Sequence, residues 1–400
     1  MKQLLAGLVG WLLVLQLSFK TVNGLSDQSS SHQNALAGKL YNVLAEDKTE
    51  NIFFSPFSIS YALSALSLGT EGDSFKELQT ALSLPAEEAE ILKTVSARFT
   101  EILKGDENMT VANGFFVDRN FEVKEKFLNH LENDFHMESR VMDLSANPSN
   151  STIEINKWVE NKTKNIIKDL LSSDSIDGFT VAVLVNAVYF KSQWIHPFDI
   201  KETKVRPFYA LDKVYETEMM LIRRKFNYKY SDDLESHIIL MPYVGNYRML
   251  LVVPKEIDGI VQLDAKLKEG LEGNSTMFLD SFVTDVEKTR LKLIVPKCKL
   301  EVKTDLKDLL QKIGVKSIFT NGHLGKISDD PRLFVSDAVH KANLNIDEIS
   351  TEAAAASGFS ISNRMSPPRP ITIKADRPFV FAIVHKVTKS MIFVGRMSHF

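Results

Sequence analysis

Cysteine is all but missing from this sequence. Cys298 stands alone among 400 residues, so no internal disulfide can form and stability must come from buried apolar surface. The composition allows that, with 44% of residues hydrophobic. Strand alternation between Lys297 and Lys299 points Cys298 inward; we expect a buried inert thiol, with a reactive thiol or an intermolecular bridge as the alternative. Linker-like stretches rich in Pro, Gly or Ser are missing, as are long charge blocks and any repeat period. Residues 25–400 therefore read as one large domain, although length alone would suggest two or three. Charge of one sign is not in excess: the net charge of −3 gives no reason to expect nucleic acid as a partner. The densest basic run, Arg223, Arg224 and Lys225 with Lys229 close by, reads as a solvated strand or loop edge, with a polyanion site as the alternative. Catalytic motifs are missing as well. There is no Walker loop, no Gly-x-Ser-x-Gly turn, no His-Glu-x-x-His and no clustered Cys or His among the nine scattered histidines. An enzyme or a metal site is not expected; only a triad distant in sequence would escape that search.

One long apolar run is present, Leu4 to Phe19, preceded by Lys2 and followed by Val22 and Gly24. This is the pattern of a signal peptide cleaved after Gly24. The alternative, an uncleaved anchor, needs a longer run, and no other segment approaches spanning length. The mature chain is thus expected to start near Leu25 and to be secreted. Four Asn-x-Ser/Thr sites, at Asn108, Asn150, Asn161 and Asn274, fit an exported glycoprotein.

The first third reads as helical. Ser55 caps and Pro56 opens a helix from Phe57 to Leu68 that is apolar on nearly every face and stops at Gly69. Ser74-Phe-Lys-Glu77 has the capping-box pattern. Helical spacing recurs over 87–104, 124–135 and 153–167. The character then changes. Thr180 to Phe190 is a continuous β-branched and apolar run that suits a central strand. Strands are expected at His237 to Met241, at Met249 to Val253 and again from Phe334 onward, including Phe379 to Val384 and Met391 to Val394. Leu291, Leu293 and Val295 alternate, and the parity shifts after Pro296 to Cys298, Leu300 and Val302, which predicts a bulge or bend. Thr304 to Ile313 is a short helix closed by Gly314. The class is α+β.

Ser350 to Pro370 carries the functional reading. A linker this long inside a compact domain is uncommon. Alternate residues Thr351, Ala353, Ala355, Ser357, Phe359 and Ile361 are small, then large and apolar. The other set, Glu352, Ala354, Ala356, Gly358, Ser360 and Ser362, is small or polar throughout. That is the period of a half-buried strand about 40 Å long for twelve residues. The segment therefore combines an exposed loop, from its prolines and serines, with an insertable strand. The plainer alternatives are a helix on the four alanines or a flexible tether.

These residues resemble the serpin family. Asn51-Ile-Phe-Phe-Ser-Pro-Phe-Ser-Ile-Ser60 is similar to the family's buried second helix. Asn186-Ala-Val-Tyr-Phe-Lys191, with Trp194 and Phe198, is similar to its central-sheet signature. Asp337-Ala-Val-His-Lys-Ala342 leads to Glu348 and to Thr351-Glu-Ala-Ala-Ala-Ala356, which resembles the inhibitory hinge. Ala375-Asp-Arg-Pro-Phe379 and Phe393-Val-Gly-Arg396 resemble the C-terminal strands. The resemblance implies three β-sheets, about nine helices and an exposed reactive-centre loop over about 348–370. It also implies a suicide mechanism. A protease attacks the loop and forms an acyl-enzyme; the cut hinge then inserts into the main sheet as a new strand and traps the protease as a covalent 1:1 complex. The native fold would be held kinetically.

Carried over by position, the hinge is Glu348, Ser350, Thr351, Glu352, Ala353, Ala354, Ala355 and Ala356. Ser350 stands where the family usually has Gly, with less access to positive φ. The family's register from Glu348 reaches Arg364, followed by Met365, as the bond to be cut, and Arg suits a trypsin-like pocket with a carboxylate at its base. Arg369 precedes Pro370 and is a poor rival; cutting at Phe359 would leave a short tether. Ser55, Ser58, Asn186 and His340 match the shutter cluster beneath the parting strands, and Trp194 the breach where the loop first enters. Each has the plainer reading of a satisfied core residue. The expected partner is a trypsin-like serine protease of an extracellular cascade, met by a monomer with no required cofactor, no membrane and no nucleic acid. The rival is a non-inhibitory serpin, a ligand carrier or chaperone, but such relatives tend to lose the small hinge residues kept here. A heparin-like polyanion could act through Lys93 and Lys104, eleven positions apart on one helix, although Glu88 and Glu101 share that helix.

Overall fold

A computed structural model describes residues 33–104, 106–272, 281–320, 323–348 and 370–400. The signal segment, Asn274, Ser350 to Ala356, and Arg364 with Met365 lie outside the described residues. The strands form two hydrogen-bonded assemblies. The first holds nine strands in the order β1 (Ile52–Phe54), β14 (Met391–Met397), β13 (Phe379–His385), β8 (Tyr247–Pro254), β7 (Ser236–Pro242), β6 (Val214–Ser231), β9 (Glu287–Pro296) and β12 (Ile371–Lys374), with β5 (Lys204–Tyr209) also on β6. The second holds β10 (Cys298–Asp305), β11 (Asp337–Ile346), β4 (Ala182–Phe190), β2 (Met109–Asp118) and β3 (Glu138–Met142). The nine-stranded assembly divides within β6. Residues up to Tyr228 pair with β5 and β9, while Asn227 to Ser231 pair with β7. The chain therefore has the three expected sheets, two of them joined by one long strand.

The helices are a helix through 33–44 (α1), α2 (Pro56–Ser67), α3 (Gly72–Leu82), α4 (Glu88–Ile91), α5 (Ala97–Leu103), α6 (Glu125–Asn129), α7 (Pro148–Lys162), α8 (Ile260–Glu272) and α9 (Leu306–Lys312). Helix α2 follows its sequence signals. Ser55 accepts from the Ser58 N–H, Pro56 takes the first turn, and all twelve residues are buried. It packs on β14 of one assembly and on β4 and β2 of the other, so it has no solvent face. Phe190 of β4 reaches Tyr247 at 5.2 Å and Phe393 at 5.8 Å, closing the layers over a common core. Each large side chain buried there contributes about 1.5–3 kcal/mol, which is how a chain without disulfides holds together.

Several boundaries differ from the sequence reading for local reasons. The capping box at Ser74 is not used: α3 begins at Gly72, Ser74 is buried within it, and the Glu77 carboxylate instead accepts from the N–H groups of Lys316 and Ser317. Helix α7 starts five residues early because Pro148 fits its first turn; it ends early, at Lys162, ahead of Lys164 and Asn165, both in the left-handed region. Pro296 marks more than a bulge. It ends β9 in one assembly, Lys297 donates its N–H to Glu218 O at 2.8 Å, and Cys298 begins β10 in the other. The parity shift is a change of sheet. Between α4 and α5 the segment Leu92–Ser96 winds as a wider π turn, and Lys104 leaves the helix in an extended conformation. The eleven-residue spacing of Lys93 and Lys104 therefore does not stack them on one face. The solvated reading of Arg223, Arg224 and Lys225 holds, since all three are exposed on β6.

Candidate functional site

The five-stranded sheet has its seam between β4 and β11. They run parallel, in register from Asp337 opposite Val183 to Leu344 opposite Phe190. The outer pairs β10–β11 and β2–β4 are antiparallel. Parallel ladders are slightly weaker per residue than antiparallel ones, so this seam is softer than the pairs that flank it; the other parallel pair, β2–β3, lies at the sheet's edge.

A polar row crosses the seam at mid-height. Asn113 on β2 opposes Asn186 on β4, Asn186 opposes His340 on β11, and His340 opposes Thr304 on β10. The start of α2 meets this row from within the core. The Ser55 N–H donates to His340 Nε2 at 3.1 Å, which fixes the proton on Nδ1, where it is given to Asn186 Oδ1. Asn186 Nδ2 donates to Ser58 O at 3.0 Å, to Ser58 Oγ at 2.8 Å and to Asn113 Oδ1. Ser55 Oγ donates to Ile392 O at 2.7 Å on β14, tying the cluster to the other assembly. Desolvation holds the His340 imidazole down at about 3, so it is neutral, as both of its contacts require. The structure thus brings Ser55, Ser58, Asn186 and His340 together. Sequence reading missed Asn113, although an Asn inside the apolar run Val111 to Val117 is the same signal that marks Asn186. Its Nδ2 has no partner among the described residues, a cost of roughly 1–3 kcal/mol for a buried donor.

The upper end of β11 is held by a second group. Trp194 Nε1 donates to Asp347 O at 3.0 Å, and the indole stacks on Tyr243 at 4.1 Å. The Phe198 N–H donates to Glu348 O at 2.9 Å, and Thr203 Oγ1 donates to Glu348 Oε1 at 2.9 Å. Lys297 Nζ lies 3.3 Å from Glu348 Oε2. Burial pushes the Glu348 carboxyl up, but its backbone N–H, Thr203 and Lys297 outweigh that and hold it below the usual range. Thr203 and Lys297 carry no local sequence signal for this role. Cys298, beside Lys297, is buried, and burial pushes its thiol up to about 12, which makes it inert. Asn150 and Asn161 are exposed on α7, and Asn108 is half-buried with its Nδ2 donating to Asp106. Among the described residues no group of three or more His, Cys, Asp or Glu could hold a metal ion, and no helix is long and apolar enough to cross a membrane.

The family model Serpin (serine protease inhibitor) matches residues 31–400. The chain belongs to the serpin family. This serpin is similar to neuroserpin from Rattus norvegicus, 33% identical over 374 residues that cover 90% of this chain and 89% of the relative. It is similar to antitrypsin from Bombyx mori, 34% identical over 88% of this chain and 90% of that protein. A solved structure of human thyroxine-binding globulin with thyroxine superimposes with a TM-score of 0.83 at 28% identity, covering 94% of this chain and 99% of that one. Fold and family are thereby fixed, and homologues such as antitrypsin support a protease as the general kind of partner. The globulin marks the range the fold spans, since its structure holds thyroxine.

Proposed function

We propose that this serpin is a secreted suicide-substrate inhibitor of trypsin-like serine proteases, cut between Arg364 and Met365. The observation that carries the reading is the parallel seam. A segment that turns back after β11 runs antiparallel to both β11 and β4, so inserting it replaces one parallel ladder by two antiparallel ones. The twelve residues from Thr351 to Ser362 follow β11 almost directly. At about 3.3 Å each they are long enough to fill a gap between strands of nine and ten residues. Their alternation would put Ala353, Ala355 and Phe359 on one face. The hydrogen bond between His340 and Asn186 crosses the seam, and Ser55 and Ser58 tie its two ends to α2, so this cluster must exchange partners when the seam opens; this is the shutter role. Trp194 and Glu348 hold the point where the hinge leaves β11. The apolar segment Leu4 to Phe19 and the four sequons support export.

The test is to mix the protein with trypsin and examine the products on a denaturing gel, with mass analysis of the released peptide. A complex that survives denaturation and a peptide beginning at Met365 are expected. Cleavage without a complex would overturn inhibition and favour the carrier reading that the globulin represents. A peptide beginning at Pro370 would move the bait to Arg369.

A further inference from the structure

One surface of the protein carries far more positive charge than its net charge of −3 would suggest. Strands β6 and β9 are antiparallel, with Arg223 opposite Lys292, Lys225 opposite Arg290 and Asn227 opposite Lys288. Directly opposed residues of a ladder share a face, so Arg223, Lys225, Lys288, Arg290 and Lys292 stand in two rows on one side of the sheet. Strand β12 extends the face: Thr372 opposes Lys292, and Lys374 lies two positions further on. All six cations are exposed or half-buried. Glu202 meets Arg223 at 3.4 Å, and none of the other five has an acidic partner among the described residues. Like charges directly opposed in a sheet are destabilising. Two such pairs side by side, with Glu202 as their one acidic partner among the described residues, are the pattern of a surface whose counter-charge arrives on another molecule.

The place of the patch decides which molecule. Strand β12 begins at Ile371, one residue after Pro370 and seven after Arg364. Even fully extended, the six residues from Arg364 to Pro370 reach about 20 Å. A protease domain of about 230 residues has a radius of gyration near 17 Å, so one engaged at Arg364 must overhang β12 and the strands beside it. The geometry points to the cationic face of β6, β9 and β12 as a docking surface for an acidic rim around the cleft of the target protease. This rests on the inhibitory reading above and narrows it. Among proteases that accept Arg364, those with a negatively charged surface beside the cleft are caught fastest, because complementary fields raise association rates by about 10 to 1000-fold.

The experiment compares one anionic and one cationic trypsin, which share the pocket for arginine and differ in surface charge. Association rates with the full-length inhibitor are measured at 50 mM and 500 mM salt. The anionic trypsin should be trapped about tenfold faster at low salt, and the gap should close at high salt as screening shortens to a few ångströms. Lys225→Glu with Arg290→Glu should abolish or reverse the gap while both trypsins still form covalent complexes. The single change Lys225→Glu, which pairs opposite charges with Arg290 and relieves the sheet, should reduce it. Equal rates for both trypsins, or a gap that the variants leave unchanged, overturns the docking surface while leaving the inhibitory reading intact. So does a variant that loses only its retention on immobilised heparin, since the occupant is then a polysaccharide. No complex with either trypsin overturns the inhibitory reading and this inference with it.

Discussion

The two assemblies of this serpin are held shut by different means. In the nine-stranded assembly, β13 is buried along its whole length between antiparallel neighbours β14 and β8. Phe53 of β1 stacks on Phe393 at 5.2 Å and on Phe381 at 6.0 Å. Nothing there is offered in exchange if the strands part, since separating them exposes apolar surface to water. The five-stranded sheet has a parallel pair at its centre, crossed by Asn113, Asn186 and His340. Hydrogen bonds differ from apolar contacts in that they can be re-made with a new partner at little net cost. One assembly is built to stay closed. The other is closed by contacts that an incoming strand could replace.

That contrast is sharpest at the residues that would enter. Ala355→Arg puts a charge on the face of the hinge that must be buried. Insertion would then bury an unpaired cation, and the loop should still be cut at Arg364 but with no covalent complex left. The expected loss of trapping is at least hundredfold, read as the ratio of complex to cleaved inhibitor on a denaturing gel. Continued trapping would mean that the seam of the five-stranded sheet does not receive the hinge. The next effect is thermal. Loop cleavage in the unaltered protein should raise the melting temperature by about 10 °C or more, several kcal/mol in a chain of this size, because the inserted strand completes two antiparallel ladders. An unchanged melting curve would put the two assemblies on an equal footing.

The polar row should also give the five-stranded sheet a pH dependence of its own, beside that of His237 on β7 and His385 on β13, whose imidazoles burial also holds below the usual value. His340 is held down at about 3 against a usual value near 6.5. Between those values the unfolded chain binds a proton that the folded one refuses, so stability rises with pH. His340 therefore contributes its full share above about pH 6.5, and loses it as pH falls towards 3, by up to a factor of ten in the unfolding constant per pH unit. Denaturant titrations at pH 7 and pH 5 should show this slope, and His340→Asn should flatten it. The same variant should cost about 1–3 kcal/mol at pH 7, since the Ser55 N–H loses its acceptor in the core.

Much of this was legible from the residues alone, and the rest was hidden for a definable reason. Helix α2, the strand β4 and the inward turn of Cys298 follow from local signals: a Ser-Pro start, an unbroken apolar run, and alternation beside two lysines. Ser55, Ser58, Asn186 and His340 stand out in the sequence by resemblance alone, and the structure brings them together. What stayed hidden depends on pairing across long stretches of chain. Strand β6 reads as a solvated edge around Arg223 and Lys225, because its face meets Arg290 and Lys292 only through the ladder with β9. Thr203 and Lys297 lie far from Glu348 in sequence, and no local spacing connects them. The capping box at Ser74 misled because Glu77 is drawn to the backbone of Lys316 and Ser317 instead. A local pattern yields when tertiary donors offer the carboxylate more hydrogen bonds.

The smallest effect is expected at the upper end of the seam, where the contrast between exchangeable and permanent contacts is tested on one side chain. The Glu348 side chain is 7% exposed, while its partner Lys297 is 37% exposed, so solvent screens the pair and its worth is well below that of a buried ion pair. Glu348→Gln keeps the shape and the acceptor for Thr203 but removes the charge. Lys297 is not stranded, because Glu218 lies 3.7 Å away. The cost at pH 7 should be about 1 kcal/mol or less. Its sign with pH follows from the depressed carboxyl: the contribution is present above the usual carboxylate range and is lost as pH falls through the folded value. Melting curves of the two proteins should therefore differ slightly at pH 7 and converge as the pH is taken below the usual carboxylate range. A difference that did not shrink with falling pH would assign Glu348 to packing, making the end of β11 a permanent contact rather than a charge held ready for release.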